Sequence, residues 1–390
     1  MAKKSPPHNR TIMTPADILS QRNTEHPFRL FFPLACLGAW VALLPWLALL
    51  LAPQYAGHFP LHWHAFAFLN LCAGAGFVGF LMTALPSWTG DPAPRSIHSC
   101  LLLALWGSIL FALPWPSVAL TACAAFWGYL SAYTAWRVIH NRRTNLTSFV
   151  ITMSMLTALA VRYGFRPDGA TLHQMVDTML IAVALVNFRV GRVLGNEALK
   201  DGGHGELRFM PNPYAKNISA LMLGLYIAVA AAGAADNIQG WLALAVAAAF
   251  AARLQDWHSL LLLRAHYVRA NYSVSLALAV GYGMTGIAQL AVPALYSPAR
   301  HLLAIAAMLA MVLTIMSIAG IRHSGLKLHF YRDTRLALAL ILCGGLSRCF
   351  GALYAPSLTT IYVIPTACIA TAFTLYALRY IGIFRRTEPR

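Results

Sequence analysis

The sequence predicts an all-α polytopic membrane protein, a helical bundle of about 12 transmembrane helices. Hydrophobic residues make up 59% of the 390 positions, and charged residues make up 11%. A soluble protein of this length could not bury that much apolar surface. The long apolar runs have roughly 18–24 residues each, the length that crosses about 30 Å of hydrocarbon at about 1.5 Å per residue.

Proline and glycine residues separate most of the predicted spans, as Pro53 and Pro60 do after the first one. The predicted spans cover residues 29–52, 62–85, 97–115, 116–137, 146–163, 171–190, 217–235, 238–262, 273–295, 300–320, 334–354 and 357–380. No internal repeat and no large loop interrupts them. We therefore expect one membrane domain over residues 28–384, with cytoplasmic polar tails at residues 1–27 and 385–390.

The basic residues predict the orientation of the bundle. The 29 Lys and Arg residues give a net charge of +17, but they are spread over the loops, which argues against nucleic acid as a partner. With the amino terminus inside, the outer side takes Arg162, Arg166 and Arg300, Arg348 falls within a span, and all others lie inside. This asymmetry predicts both termini in the cytoplasm and an even number of spans.

Histidines form two layers in this topology. The outer layer contains His58, His62, His64, His173 and His301, and the inner layer contains His98, His140, His258, His266, His323 and His329. His62 and His64 lie about 200° apart around a helix, so regular helix positions cannot direct both at one metal ion. His301 and His323 lie about 33 Å apart along one helix and must serve different sites. Imidazole is a favoured ligand of haem iron and of copper, although interfacial histidines commonly have no ligand role.

Two arginines are further candidates for binding. Arg348 lies inside the eleventh span, where a cation needs a carbonyl cluster, a cofactor propionate or access to the interface. The stretch from Val190 to Asn196 contains Gly191 and Gly195, and it is predicted to end the sixth span. Arg192 in this stretch is expected to contact phospholipid or a cofactor.

Small residues follow one face of the second span. Ala75, Gly79 and Thr83 repeat every four residues, which permits close approach of a neighbouring helix or of a flat cofactor. The segment Pro86–Gly90 is predicted to form a tight turn after this span.

The chain resembles the NnrS family over several separated motifs. FRLFF at residues 28–32 is similar to the family's opening F-R-P-F-F. A second motif of the family, W-H-A-H-E-M…G-F-L-L-T-A-V-P-N-W-T-G, is similar to WHA at 63–65, GFL at 79–81, TA at 83–84 and PSWTG at 86–90. GRV at 191–193, GY at 281–282 and the spacing from His301 to the HSG at 323–325 also match. The sequence departs from the pattern at Phe66, Ala67 and Ala279, where the family has histidine, glutamate and histidine.

The resemblance implies a twelve-span protein of the bacterial inner membrane that responds to nitric oxide or another small gaseous ligand under nitrosative stress. It implies haem b and, with a reduced histidine set, copper. His64 and His301 would hold haem or metal near the outer surface, His323 would mark a separate inner position, and His62 would be a stand-in ligand. Arg192 and Arg348 are the other candidate cofactor-binding residues. The sequence identifies no redox partner.

Two other functions remain open at this stage. A secondary transporter without metal would share the twelve-span layout, but we find no inverted repeat and no pair of glycine-interrupted helices in corresponding halves. A structural or assembly protein without cofactors would explain Phe66, Ala67 and Ala279 directly. The sequence contains no CxxCH motif and no nucleotide-binding loop, so nothing in it establishes an enzymatic reaction.

Overall fold

The computed structural model describes residues 21–386 and consists of helices joined by short loops. A single turn at Gln21–Thr24 precedes the bundle. The long helices are α1 (Pro27–Leu51), α2 (Trp63–Thr89), α3 (Ser96–Ala112), α4 (Pro116–His140), α5 (Thr144–Phe165), α6 (Gly169–Asp201), α7 (Pro213–Ala231), α8 (Asp236–Trp257), α9 (His266–Leu290), α10 (Pro293–His323), α11 (Arg332–Tyr354) and α12 (Thr359–Arg385).

The all-α membrane bundle is confirmed, and each predicted span has a helix in this part of the chain. Eleven helices of the described chain are long and apolar enough to cross a membrane. The exception is α3, which is apolar but shorter, because its helix ends before Pro114 and α4 begins at Pro116. The orientation of the termini stays a prediction. Most of the predicted amino-terminal tail, residues 1–20, and the last residues, 387–390, lie outside the described chain.

Three helices form the centre of the bundle. In its most apolar window α10 is 94% buried inside the protein, α2 is 78% buried and α6 is 72% buried, whereas α1 and α11 are 33% buried. A helix that is apolar all round and covered by other helices belongs to the core, and the less covered helices face lipid. Neighbours in sequence pack in pairs, α1 with α2, α4 with α5, α8 with α9 and α11 with α12, and α12 returns to contact α1.

Two helices run further than the sequence predicts. The predicted end of the sixth span at Val190–Asn196 is wrong, because α6 continues without a break to Asp201. Gly191 permits close packing rather than a turn, since a Cβ there would lie 2.8 Å from the Trp257 ring. The predicted turn at Pro86–Gly90 is also displaced: α2 continues through Pro86 to Thr89, and Gly90 ends it with a φ of +85°.

Helix packing accounts for the small residues of α2. A Cβ on Gly79 would lie 2.7 Å from the Phe32 ring of α1, so only glycine allows this approach. The Thr83 hydroxyl donates to the Gly79 carbonyl at 2.6 Å and accepts the backbone N–H of Phe28 at 3.2 Å. Of the two interpretations left open by the spacing, close approach of a neighbouring helix therefore applies at Gly79 and Thr83.

Candidate functional site

One cavity lies where six helices meet at the same end of the bundle. Because successive helices run antiparallel, the beginnings of α2, α6, α10 and α12 meet the ends of α1 and α11 there. The cavity has a volume of about 150 Å³. Its polar and aromatic lining consists of Trp46, His64, Phe68, His173, Arg300, His301, Arg348 and Tyr362.

Three segments of π-helix converge on this cavity, and they are the π-helical segments of the described chain. They cover Phe68–Ala73 in α2, Leu302–Leu309 in α10 and Thr359–Val363 in α12. Each contributes to the lining, with Phe68, Leu69, Ala304, Ile305, Met308, Leu309, Ile361 and Tyr362. A π-turn costs regular hydrogen bonding and occurs frequently at functional sites. The convergence of three such turns marks this cavity as the candidate site.

Side chains of other helices stabilise two of the π-segments. The Trp106 indole of α3 donates to the Leu71 carbonyl at 2.9 Å, and the Ser347 hydroxyl of α11 donates to the Thr360 carbonyl at 2.9 Å. A widened turn departs from the regular ladder of backbone hydrogen bonds, so its carbonyls need such partners in an apolar environment. The shape of the cavity therefore depends on tertiary contacts.

His301 is held by its own helix. Its Nδ1 lies 2.8 Å from the Ser297 carbonyl one turn earlier. A carbonyl only accepts, so Nδ1 carries the proton and donates this bond. Nε2 is then the deprotonated nitrogen, with its lone pair available to a ligand in the cavity. Orientation of one ring nitrogen by a hydrogen bond to the other is the usual arrangement of an iron-binding or copper-binding histidine.

His64 lies across the same cavity in α2. Its ring packs against Trp46 of α1, with centroids 5.1 Å apart and an interplanar angle of 58°. Within residues 21–386, no hydrogen bond fixes the nitrogens of this imidazole, although the side chain is partly buried. The structure therefore brings the predicted pair, His64 and His301, to one cavity from two central helices.

His62, the proposed stand-in ligand, lies outside this cavity. His62 precedes the first turn of α2, and its ring packs on the start of α6, where a Cβ added to Gly169 would lie 3.2 Å from it. His62 is not part of the cavity lining. His173, one turn into α6, is the third histidine of the cavity lining, beside His64 and His301. The sequence placed His173 in the outer layer, but no motif singled it out.

Positive charge exceeds negative charge around the cavity. Arg300 forms an ion pair with Asp177 of α6 at 2.8 Å and donates to the His173 carbonyl at 2.8 Å, and both charged side chains are 5% exposed. The Tyr282 hydroxyl donates to the same carboxylate at 2.7 Å. Arg348 of α11 also lines the cavity, partly buried, and no carboxylate of the described chain lies within ion-pair distance of it. The cavity thus has one guanidinium free for an acidic ligand group.

The remaining candidate residues lie away from the cavity. His323 ends α10 at the opposite end of the bundle, where its ring is 5.9 Å from that of Phe28. Arg192 is exposed on the surface of α6. Among residues 21–386, no group of three or more His, Cys, Asp or Glu side chains could hold a metal ion. His64, His301 and His323 therefore do not form a common centre.

The fold and the cavity define a polytopic helical membrane protein with a histidine-lined site between its central helices. The chain belongs to the NnrS family: the family model described as NnrS protein matches residues 23–388, nearly the whole sequence. A comparison with curated proteins finds no match.

Proposed function

We propose that the protein binds haem b between His64 and His301 and takes part in the response of the inner membrane to nitric oxide. The observation that carries this proposal is the pairing of these two imidazoles in the one cavity where three π-segments converge. Membership of the NnrS family supports nitric oxide as the ligand. The Lys and Arg distribution supports cytoplasmic termini, which puts the cavity at the outer surface.

The donor set fits haem. Neutral imidazole is a favoured ligand of haem iron, and His301 would have Nε2 available because Nδ1 is bound to the Ser297 carbonyl. Arg348 can bind a propionate, which would give this guanidinium the acidic partner that it otherwise lacks. A copper site commonly uses three protein ligands, and within the described residues no three His, Cys, Asp or Glu side chains form a group that could hold a metal ion. We therefore propose haem as the cofactor and do not propose a copper centre.

The size of the cavity sets a condition on haem binding. Its volume of about 150 Å³ is below the range of ligand and cofactor sites, roughly 300–1,000 Å³. Trp46 and Tyr362 lie against each other at 4.9 Å between ring centroids, and both are partly exposed. Haem binding therefore requires the cavity to widen, and we propose that it does so by separation of these two rings.

Bound haem would supply an iron centre that binds nitric oxide and exchanges one electron. The residues of the chain have different roles. His301 and His64 would hold the haem in position, and the apolar side chains of Ile305 and Leu309 would exclude water from it. The Asp177–Arg300 ion pair joins the beginnings of α6 and α10 and so fixes the wall that carries His301.

Absorption spectroscopy tests the proposal directly. The protein is purified in mild detergent from haem-replete cells, and oxidised and dithionite-reduced spectra are recorded for wild type, His64→Ala, His301→Ala and His323→Ala. We expect a Soret band in wild type, its loss in the first two variants and its retention in His323→Ala, because His323 lies at the other end of α10. Size-exclusion chromatography checks that every variant remains folded.

Two results would overturn the proposal. A double variant of His64 and His301 that keeps the haem content of wild type would show that these residues are not the ligands. A folded but colourless wild-type preparation would favour the cofactor-free function considered above. Copper measured in the same samples tests whether that metal is bound.

A further inference from the structure

A basic groove lies at the end of the bundle opposite to the histidine cavity. It runs between the end of α6, the beginning of α9 and the segment that joins α10 to α11, and its volume is about 350 Å³. The charged and polar side chains along it are those of Asp201, Arg264, His266, Tyr267 and His329. This groove shares no residue with the candidate haem site.

His266 in this groove has an arginine at each ring nitrogen. The Arg269 guanidinium lies 2.5 Å from Nδ1, and the Arg335 guanidinium of α11 lies 2.8 Å from Nε2. A neutral imidazole has one acceptor nitrogen and one N–H, and a protonated imidazole has none that accepts. At least one of the two contacts therefore places a donor against a donor, which is unfavourable unless an anion lies between or beside them.

The carboxylate of the groove does not provide that negative charge. Asp201 already binds Lys327 at 2.9 Å and accepts the Tyr267 hydroxyl at 3.2 Å. In the chain from residue 21 to residue 386, no carboxylate lies within ion-pair distance of Arg264, Arg269 or Arg335. The amino end of the 25-residue helix His266–Leu290 also contributes Ala265, His266 and Tyr267 to the groove lining, and the end of a helix with free N–H groups favours a negative ligand.

We propose that a phosphate group binds on the His266 side of this groove, held by Arg269 and Arg335, which contact His266 but are not part of the groove lining. Arginine binds phosphate through paired N–H groups, and basic pockets between membrane helices bind the headgroups of anionic lipids. The source of the phosphate is either the headgroup of an anionic phospholipid or free phosphate. The predicted topology places the groove at the cytoplasmic surface, within reach of both.

Lipid binding to the purified protein tests this proposal. Delipidated wild type, an Arg269→Gln/Arg335→Gln double variant and an Arg332→Gln control are each titrated with phosphatidylglycerol, phosphatidylcholine and inorganic phosphate. Binding is followed by native mass spectrometry and by the shift in Tm. Arg332 is a matched control because it is an exposed arginine at the start of α11 that does not contact His266.

We expect phosphatidylglycerol to bind wild type and the control equally and the double variant at least about tenfold more weakly, since charge-assisted hydrogen bonds are lost. Binding of phosphatidylglycerol without inorganic phosphate identifies a lipid headgroup, and binding of both identifies a phosphate site open to solvent. Wild type that binds neither phosphatidylglycerol nor inorganic phosphate, or equal weakening by Arg332→Gln, would overturn the proposal. If the double variant does not fold, the single variant of exposed Arg269 gives the same comparison. Because the groove shares no residue with the histidine cavity, lipid binding here does not depend on whether the protein binds haem.

Discussion

Arg300 of α10 and Asp177 of α6 form an ion pair of 2.8 Å in the interior of the bundle, and each side chain is 5% exposed. The two residues are 123 positions apart in sequence. Removal of two charges from water is expensive, and such pairs persist when hydrogen bonds complete them. Here Tyr282 also donates to the carboxylate, and the guanidinium also donates to the His173 carbonyl. The pair thus joins the two central helices that carry His173 and His301.

Loss of one partner should cost more than loss of both. Asp177→Asn leaves the buried Arg300 without its counter-charge, and we expect a loss of about 3–5 kcal/mol in the free energy of unfolding. Asp177→Asn combined with Arg300→Gln should recover a large part of that loss, because no charge then remains buried. Thermal unfolding in detergent of wild type, Asp177→Asn, Arg300→Gln and the double variant gives the coupling energy between the two side chains. Additive effects of the two substitutions would show that the ion pair makes no coupled contribution.

A second prediction concerns the π-segment of α2. Trp106→Phe keeps an aromatic ring but removes the indole N–H that binds the Leu71 carbonyl. We expect a loss of about 0.5–1.5 kcal/mol in the free energy of unfolding, because the Leu71 carbonyl loses this hydrogen bond. If the segment then relaxes to a regular α-helix, the haem content should fall as well. The control is Trp136→Phe, which removes the same atoms from a side chain that is 55% exposed. Equal effects of the two substitutions would contradict the prediction.

The helices of this protein are largely predictable from sequence because the bilayer imposes them. Every backbone group inside hydrocarbon must be paired, so a long apolar run can only be a helix. Helix ends are less predictable, since they depend on packing partners distant in sequence. Gly191 resembles a helix end but permits contact with Trp257, and Pro86 resembles a turn but lies within the last turn of α2.

The candidate site was predictable in part. The spacing of His64 and His301 relative to the spans places both at one end of the bundle, and the cavity contains both. The π-segments could not be predicted, because side chains of other helices, such as Trp106 and Ser347, stabilise them. Asp177 was the signal available for the missed ion pair, since an acidic residue inside a predicted span indicates a buried partner.

Close packing between α1 and α2 provides a third prediction. A Cβ on Gly38 would lie 2.5–2.6 Å from the backbone of Leu71 and Cys72, and neither helix can yield by a side-chain rotation. We expect Gly38→Ala to destabilise the protein by about 1–3 kcal/mol or more through overpacking. Gly107→Ala is the control: its Cβ would have no neighbour within 4 Å, and it should be neutral or stabilising by up to about 1 kcal/mol. Thermal unfolding of both variants in the same detergent compares them. A Gly38→Ala protein as stable as the Gly107→Ala protein would contradict the observed helix contact.

The loop after α2 provides a prediction that depends on pH. Burial of Asp91 opposes its ionisation, but hydrogen bonds from Thr89, Arg137 and Asn141 and the charge of Arg137, 3.0 Å away, outweigh burial and lower the pKa of this carboxyl. A carboxyl whose pKa is lower in the folded state stabilises that state above its unfolded pKa, about 3.9, and this contribution is lost as the pH falls through the folded value.

Asp91→Asn should therefore lower the Tm relative to wild type at neutral pH, and the difference should shrink as the pH falls below about 4. The difference in Tm between wild type and Asp91→Asn, measured from pH 3 to pH 7, reports on the Asp91 carboxyl because the two proteins share their other titratable groups. Glu206→Gln is a matched control, because its side chain is 69% exposed and, within residues 21–386, the basic side chain at ion-pair distance from it is that of His204 at 3.7 Å, so its removal should change the Tm little over this range. A constant difference between wild type and Asp91→Asn at every pH would mean that Asp91 acts through the shape of the loop and not through its charge.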